Sequence, residues 1–457
     1  MKKLFYFLFI KIIISNYKIE KVFEWNSNSN ETFNLKSSNS NNSIFSYFPS
    51  QIRIDKNDKI YVSFPNDYFG KILNPPFKFA ILENNKFKKF LDFEDDKNCT
   101  NESKLCNCVR FEIDENDNFY FLDQINNTNA KIIIYNNKEK KIKNNISLNF
   151  KNENEHFYLN FVVDTKNEII YLIHSFYSYY NLNLFVIENI YDEHYKFHKI
   201  KDNFFWTKIK PFNNYFEIKN LGLSCDYKHL FISSLLFNII YSIKIEDIFK
   251  CIEKDEQIIE EIVEENNIQN PTNSFIFSSK GNLYFGGKYS YDIFISYNIK
   301  NKITEINSDN LKRISVENDE IQIKNNNENE YKIINSMFIH NKYLFFLENN
   351  FGIFIDQNKK TNENKNLTNE NKVSYYGIYK IDLKKDNSIN EGCQYLKFKN
   401  DKIVIIFWIF SFIFIIFIMI ILFIGSRKKN EIANSYLKLS NSKNVSMINM
   451  NDKRTTN

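Results

Sequence analysis

Histidines, cysteines and acidic turns are the places to look for chemistry in this 457-residue chain. Its six histidines (His156, His174, His194, His198, His229 and His340) are scattered. His194 and His198 stand four apart, a spacing that could set two metal ligands on one helix face. No acid or cysteine completes that pair in a recognisable pattern, so an ordinary loop is the simpler reading. The acidic turns at 55–58 and 114–117 resemble the start of a calcium loop but lack its Gly and closing Glu. Asp and Asn suit such turns because their short side chains bond back to local backbone. The chain contains no G-x-S-x-G elbow, H-E-x-x-H helix, P-loop or dinucleotide fingerprint. No metal site or cofactor is therefore expected, and the sequence identifies no catalytic residue.

The six cysteines (Cys99, Cys106, Cys108, Cys225, Cys251 and Cys393) precede a long apolar run, and their even number suggests disulfides in an oxidising compartment. Cys106 and Cys108 share a strand face and are expected to bond elsewhere than to each other. Asn-x-Ser/Thr acceptor sequences stand at Asn30, Asn41, Asn98, Asn101, Asn126, Asn145 and Asn366.

The elements that must position these residues are announced by a repeated phrase. In Ile113-Asp-Glu-Asn-Asp-Asn-Phe-Tyr-Phe-Leu-Asp123 an apolar residue and an Asp lead into a short turn, and an aromatic run leaves it. This is how a tight β-hairpin is written. Related phrases place marks at Tyr61, Tyr120, Tyr171, Phe231, Tyr284 and Phe345. The spacing of roughly 50–60 residues suits one four-stranded blade each. A second apolar run follows every mark, at 79–82, 131–135, 184–187, 239–243, 293–297 and 377–381. The expected fold is all-β, a six-bladed β-propeller over 16–393, with a sandwich as the competing arrangement. Lys21-Val-Phe-Glu-Trp25 reads as a lone strand that completes a distant blade and closes the ring. The acidic segment 248–267 reads as a loop with a helical turn.

The ends of the chain point to a membrane. Residues 1–15 carry two lysines, a short apolar run and a small-residue end, as a secretory signal peptide does. Residues 403–424 are free of charge and ~33 Å long as a helix, enough to cross a bilayer. Arg427-Lys-Lys429 follows, as on the cytoplasmic side of spans. This organisation, with a stalk at 394–402 and a tail at 425–457, describes a single-pass type I membrane protein with an extracellular or lumenal body. The chain's formal charge is +5; the signal segment carries +3 and the tail +5, leaving the body at −3. Such a body offers no electrostatic footprint for nucleic acid.

The order of phrases resembles the major royal jelly protein/yellow family. The resemblance rests on Val22-Phe-Glu-Trp25, Cys108-Val-Arg-Phe-Glu-Ile-Asp114, Phe161-Val-Val-Asp164, Gly222-Leu-Ser224, the run from Asn273 to Gly286, Tyr343-Leu-Phe-Phe-Leu-Glu-Asn-Asn-Phe351 and Gly377-Ile-Tyr-Lys-Ile to Cys393. It covers about 21–393 and implies a six-bladed propeller holding a small aromatic amine at its channel mouth. Phe345 and Asn350 depart from the Trp and Arg of the family's sixth-blade block. Carried over by position, Asn349 would hydrogen-bond the ligand and Phe351 stack on it. Asn273 and Asp164, near the ends of inner strands, are expected companions at the same mouth. The alternatives are an isomerase acting on oxidised catecholamine-like substrates and a structural or adhesive ectodomain.

Overall fold

A computed structural model describes residues 19–26, 49–68, 71–72, 75, 77–94, 104–125, 129–150, 157–176, 182–200, 218–234, 239–255, 263–267, 272–278, 282–287, 293–296, 311–314, 332–350 and 374–383. Scattered helical positions between 416 and 436 are also described. The chain divides into two compact units, Met1–Leu396 and Lys397–Asn457.

Each phrase folds as the first two strands of a sheet. Gln51–Ile54 and Ile60–Ser63 open the first sheet, and Cys108–Ile113 and Asn118–Gln124 the second. Phe157–Asp164 with Ile169–Phe176 open the third, and Ile218–Leu223 with His229–Ser234 the fourth. The fifth begins with Thr272–Phe277 and Leu283–Gly287, and the sixth with Lys332–His340 and Tyr343–Asn350. The second apolar runs supply the third strands, from Phe79–Glu83 to Ser374–Asp382. With their outer strands these make six four-stranded antiparallel sheets.

The first strands neighbour one another in a closed cycle, the sixth returning to the first. The core repeats that cycle. One apolar cluster joins the first two sheets through Tyr61, Phe79, Phe111 and Phe121, and others join each later pair. The last joins Leu347 and Ile378 of the sixth sheet to Ile52 and Val62 of the first. This is a propeller arrangement. Aromatic runs dominate it because flat rings bury much area between facing sheets. Phe79 alone lies 4.7–6.0 Å from the rings of Tyr61, Phe90, Phe111, Phe119 and Phe121, and such pairs add ~0.5–1.5 kcal/mol each.

The strand Ile19–Asn26 pairs with Ser374–Asp382 as the outer strand of the sixth sheet, so the two chain ends of the ring meet in one blade. The segment 248–267 is corrected. Helix Ile245–Lys254 extends directly from the third strand of the fourth sheet, and Val263–Asn267 is that sheet's outer strand. Its Glu-rich sequence hides the strand because an outer edge needs only one packed face.

Cys106, Cys108 and Cys251 are buried and form no disulfide, whereas Cys225 is disulfide-bonded. The disulfides expected from an even count therefore do not engage the first three. Cys106 belongs to a turn held by hydrogen bonding, with the carboxylate of Asp123 accepting from the backbone N–H groups of Cys106 (3.0 Å) and Asn107 (2.6 Å).

Among the described residues no helix is long and apolar enough to cross a membrane. The signal segment 1–15 lies outside the described residues, as does most of 403–424. Ile416 and 418–420 are helical and exposed there.

Candidate ligand site in the channel

The hairpins of the first five sheets share one local device, an Asp or Ser side chain at the end of the first strand that accepts from backbone N–H groups of the turn. Asp55 closes the first strand of its sheet and turns back on the chain. Its Oδ1 accepts from the backbone N–H of Asn57 and Lys59 (2.8 and 2.9 Å), while Oδ2 accepts from the Tyr61 hydroxyl (3.1 Å). Asp114 repeats this with Asn116, Asn118 and Tyr120. The Tyr120 hydroxyl also meets that of Tyr191, and burial, with Asp114 beside it, raises the Tyr120 pKa well above the ordinary range. Ser224 does the same work through its hydroxyl, which accepts from Lys228 and His229.

Each aromatic mark stands directly across from one residue of its sheet's first strand. The partners are Arg53, Glu112, Val162, Gly222, Ile276 and Phe338. All six line a cavity of about 110 Å³ in the channel between the first strands. The repeat in the sequence is therefore a ring in space. Phe275 and Phe277 complete the wall toward the fourth and fifth sheets, and Asp114, Thr165, Ser224 and Tyr227 line it at the turn side. Gly222 is required here. A Cβ at that position would lie 2.4 Å from Phe275 Cε2, so the missing side chain makes room for the ring.

Arg53 and Glu112 form the polar part of the ring. Arg53 Nε donates to Glu112 Oε2 at 2.8 Å, and Nη2 donates to Oε1 in a bidentate pair. Nη1 donates to Ile52 O (2.7 Å) and Ser336 Oγ (3.3 Å), and the guanidinium lies 5.5 Å from the Phe338 ring centre. This one side chain thus ties the first sheet to the second and the sixth. The walls carry one guanidinium against two carboxylates, Glu112 and Asp114. Glu115 stands nearby, its pKa raised by burial and by Asp114.

Two residues before the lining ring lies a second, polar layer: Gln51, Arg110, Asn160, Asn220, Ser274 and Ser336, all buried. Its hydrogen bonds run between sheets. Gln51 Oε1 accepts from Phe111 N (2.8 Å), and Ser336 Oγ accepts from Ile52 N (3.3 Å). β-Bulges accompany it in the second, fourth, fifth and sixth sheets. Neither feature was expected from the sequence, since single Asn and Ser residues in strands of this composition look like background.

The four residues expected to share one mouth are distributed otherwise. Cross-sheet contacts join like ends of neighbouring first strands. Asn335 Nδ2 donates to Ser50 O (2.8 Å) at their starts, and His340 meets Asp58 (2.7 Å) at their ends. Asp164 ends its strand on the turn side, fully buried, where Oδ1 accepts from Lys166 N and Asn167 N and Oδ2 from Asn167 Nδ2. Asn273 is the extra residue of the bulge near the opposite end. Asn349 also belongs to that opposite end, across from Ile333, and is buried with Nδ2 donating to Pro49 O at 3.2 Å. Phe351 lies outside the described residues. Asp164 therefore sits at the far end of the channel from Asn273 and Asn349, because alternate strands reverse direction and the ends of first and second strands are not equivalent.

His194 lies in a turn and His198 on the strand Lys196–Ile200, with Nε2 2.8 Å from Glu188 Oε1. Among the described residues no group of three or more His, Cys, Asp or Glu is placed to hold a metal.

The chain is a β-propeller protein. No family model matches it. No curated protein matches it in sequence. Solved structures with a similar fold include hydrazine synthase from Kuenenia stuttgartiensis, at 12% identity over 54% of this chain and 71% of that one, TM-score 0.40. Virginiamycin B lyase from Staphylococcus aureus is 11% identical over 72% and 81%, TM-score 0.38. A luciferin-regenerating enzyme is 8% identical over 80% and 95%, TM-score 0.39. Likeness at this level says nothing of ligand or reaction.

Proposed function

We propose that this chain is a six-bladed propeller of the royal-jelly/yellow kind whose channel binds a small aromatic amine. The carrying observation is the lining itself: Phe275, Phe277, Phe338 and Tyr227 offer ring surfaces beside the carboxylates of Glu112 and Asp114. An apolar cavity of ~150 Å³ takes up benzene, so about 110 Å³ suits a single ring. Within the lining itself two carboxylates stand against one guanidinium, with Arg110 a layer below, so the wall nearest the ring favours a cation over an anion. Isomerase chemistry would need an acid or base free to move a proton. The Asp114 carboxylate accepts four hydrogen bonds and Glu112 two from Arg53, so neither is free to move a proton, while both still set negative charge near an ammonium in the cavity.

The proposal includes the topology drawn from the sequence: a secreted, glycosylated body anchored by one span at 403–424, with a short cytosolic tail. Cys225 is disulfide-bonded, and its partner falls to Cys99 or Cys393, since Cys106, Cys108 and Cys251 form no disulfide. Titration calorimetry of the full chain in detergent tests the binding reading. 2-Phenylethylamine should release heat and 2-phenylethanol should bind at least ~10-fold more weakly; equal affinity, or no heat from either, would defeat it.

A further inference from the structure

Three turns at the end of the channel where first strands pass into second strands share one geometry. Asp58, Asp117 and Tyr227 each stand three residues after the residue that closes the first strand, and each donates its backbone N–H back to that residue's carbonyl, at 3.1, 3.1 and 2.9 Å. All three adopt left-handed backbone, with φ of 63°, 63° and 57°. Asp tolerates this region because its short side chain bonds locally; a bulky aromatic is an outlier there. Such strain persists where the surroundings impose it, and it gathers at ligand clamps and switch regions.

The side chains at this position also share a task. Asp58 bonds His340 of the preceding sheet at 2.7 Å, and Asp117 pairs with Lys56 of the preceding sheet at 2.6 Å. Tyr227 likewise stands against the preceding sheet, where it lines the cavity together with Thr165. An Asp or Asn would stand there with less strain. Tyr227 differs in what else it reaches, for it lines the channel cavity whereas Asp58 and Asp117 do not. It is half-buried, at the turn-side end of a cavity whose deeper wall is Phe275 and Phe277.

We infer that Tyr227 is a cap on the turn-side mouth of the channel, kept aromatic at a strained position because its ring covers the cavity and contacts an aromatic ligand held there. The ligand contact rests on the binding reading above; the covering of the mouth does not. A ring beside Thr165, between the third and fourth sheets, would close over a ligand that Phe275 and Phe338 receive from below. Exchange of Tyr for Asn should relieve the backbone, roughly offsetting the lost ring packing.

The test compares the full chain with its Tyr227→Asn and Tyr227→Phe variants in detergent. One readout is affinity for 2-phenylethylamine. The other is the rate at which a maleimide labels a cysteine introduced by Val163→Cys in the cavity wall, followed by mass spectrometry at that position. Tyr227→Asn should melt within ~2–3 °C of the parent, bind the amine at least tenfold more weakly, and label Cys at position 163 at least fivefold faster. Tyr227→Phe should keep most of the affinity. Faster labelling in Tyr227→Asn without amine binding by any form would uphold the cap and defeat the binding reading. Unchanged labelling would overturn the cap, whatever the affinities. So would a fall of more than ~10 °C in melting that accounts for lost affinity, because Tyr227 would then be a structural tie like Asp58 and Asp117.

Discussion

Replacing Tyr120 with Phe and Tyr171 with Phe removes the same atom from equivalent places, with opposite expected results. Both rings are fully buried, and each stands across from a lining residue of its sheet. The Tyr120 hydroxyl donates to Asp114 Oδ2 at 2.9 Å and also meets the Tyr191 hydroxyl. Its loss leaves a carboxylate oxygen and a half-buried phenol short of a partner. A hydrogen bond to a charged group is worth ~1.5–3 kcal/mol, and Tyr120→Phe should cost about that. The third turn is one residue longer, since Val163 pairs with Ile170 while Ile113 pairs with Phe119. Asn167 Nδ2 has taken Asp164 Oδ2 at 2.7 Å, and the buried Tyr171 hydroxyl has no hydrogen-bond partner among the described residues. Removing an unsatisfied buried hydroxyl relieves its desolvation, so Tyr171→Phe should leave stability unchanged or raise it by up to ~1 kcal/mol. Urea unfolding of the full chain in detergent, followed by tyrosine and tryptophan fluorescence, reads both midpoints. The reasoning is refuted if Tyr171→Phe destabilises as much as Tyr120→Phe.

Other expectations follow from individual contacts. Gly222→Ala would force Phe275 from its seat, costing ~1–3 kcal/mol through overpacking and pushing the ring into the cavity; calorimetry should show amine affinity falling further than the melting midpoint explains. Lys131→Met would strip the buried Asp123 of its cation, 3.5 Å away, and should destabilise by ~3–5 kcal/mol. Adding Asp123→Asn should recover part of that loss in denaturant titrations. Burial holds the His174 pKa down at about 3, with Lys199 adding to the effect, while the unfolded value is about 6.5. The unfolded chain therefore binds the extra proton between those values. The His174 contribution to stability is full above ~6.5 and declines as pH falls toward ~3, by at most ~1.4 kcal/mol per pH unit. His174→Phe, which can keep the ring stack on Phe150 (4.1 Å), should flatten the acid limb of a melting-versus-pH curve.

The ring of sheets was legible because its repeat carries residues with one physical job each. Asp55 and Asp114 turn the chain, and Tyr61 and Tyr120 bond back to them. The lone strand near Trp25 was legible for a related reason, since an isolated apolar run far from its partners must pair across the ring. The candidate cavity was harder to read. Arg53 and Glu112 stand two residues before the turn aspartates, and charges on otherwise apolar inner strands were the available signal. Recognising that they meet required the ring order. Asn349 drew attention by resemblance and by its place at a strand end, but second strands run opposite to first strands, which carries it away from the turn-side mouth. The outer strand Val263–Asn267 escaped notice because its Glu and Asn residues have no strand-like pattern.

The most direct test of the channel reading is a crystal structure of the full chain grown with 2-phenylethylamine. It should show the ring between Phe275, Phe338 and Tyr227, with the ammonium toward Asp114 and Glu112. Electron density for the amine at the Asn349 end of the channel, or on the outer faces of the sheets with an empty cavity, would contradict it.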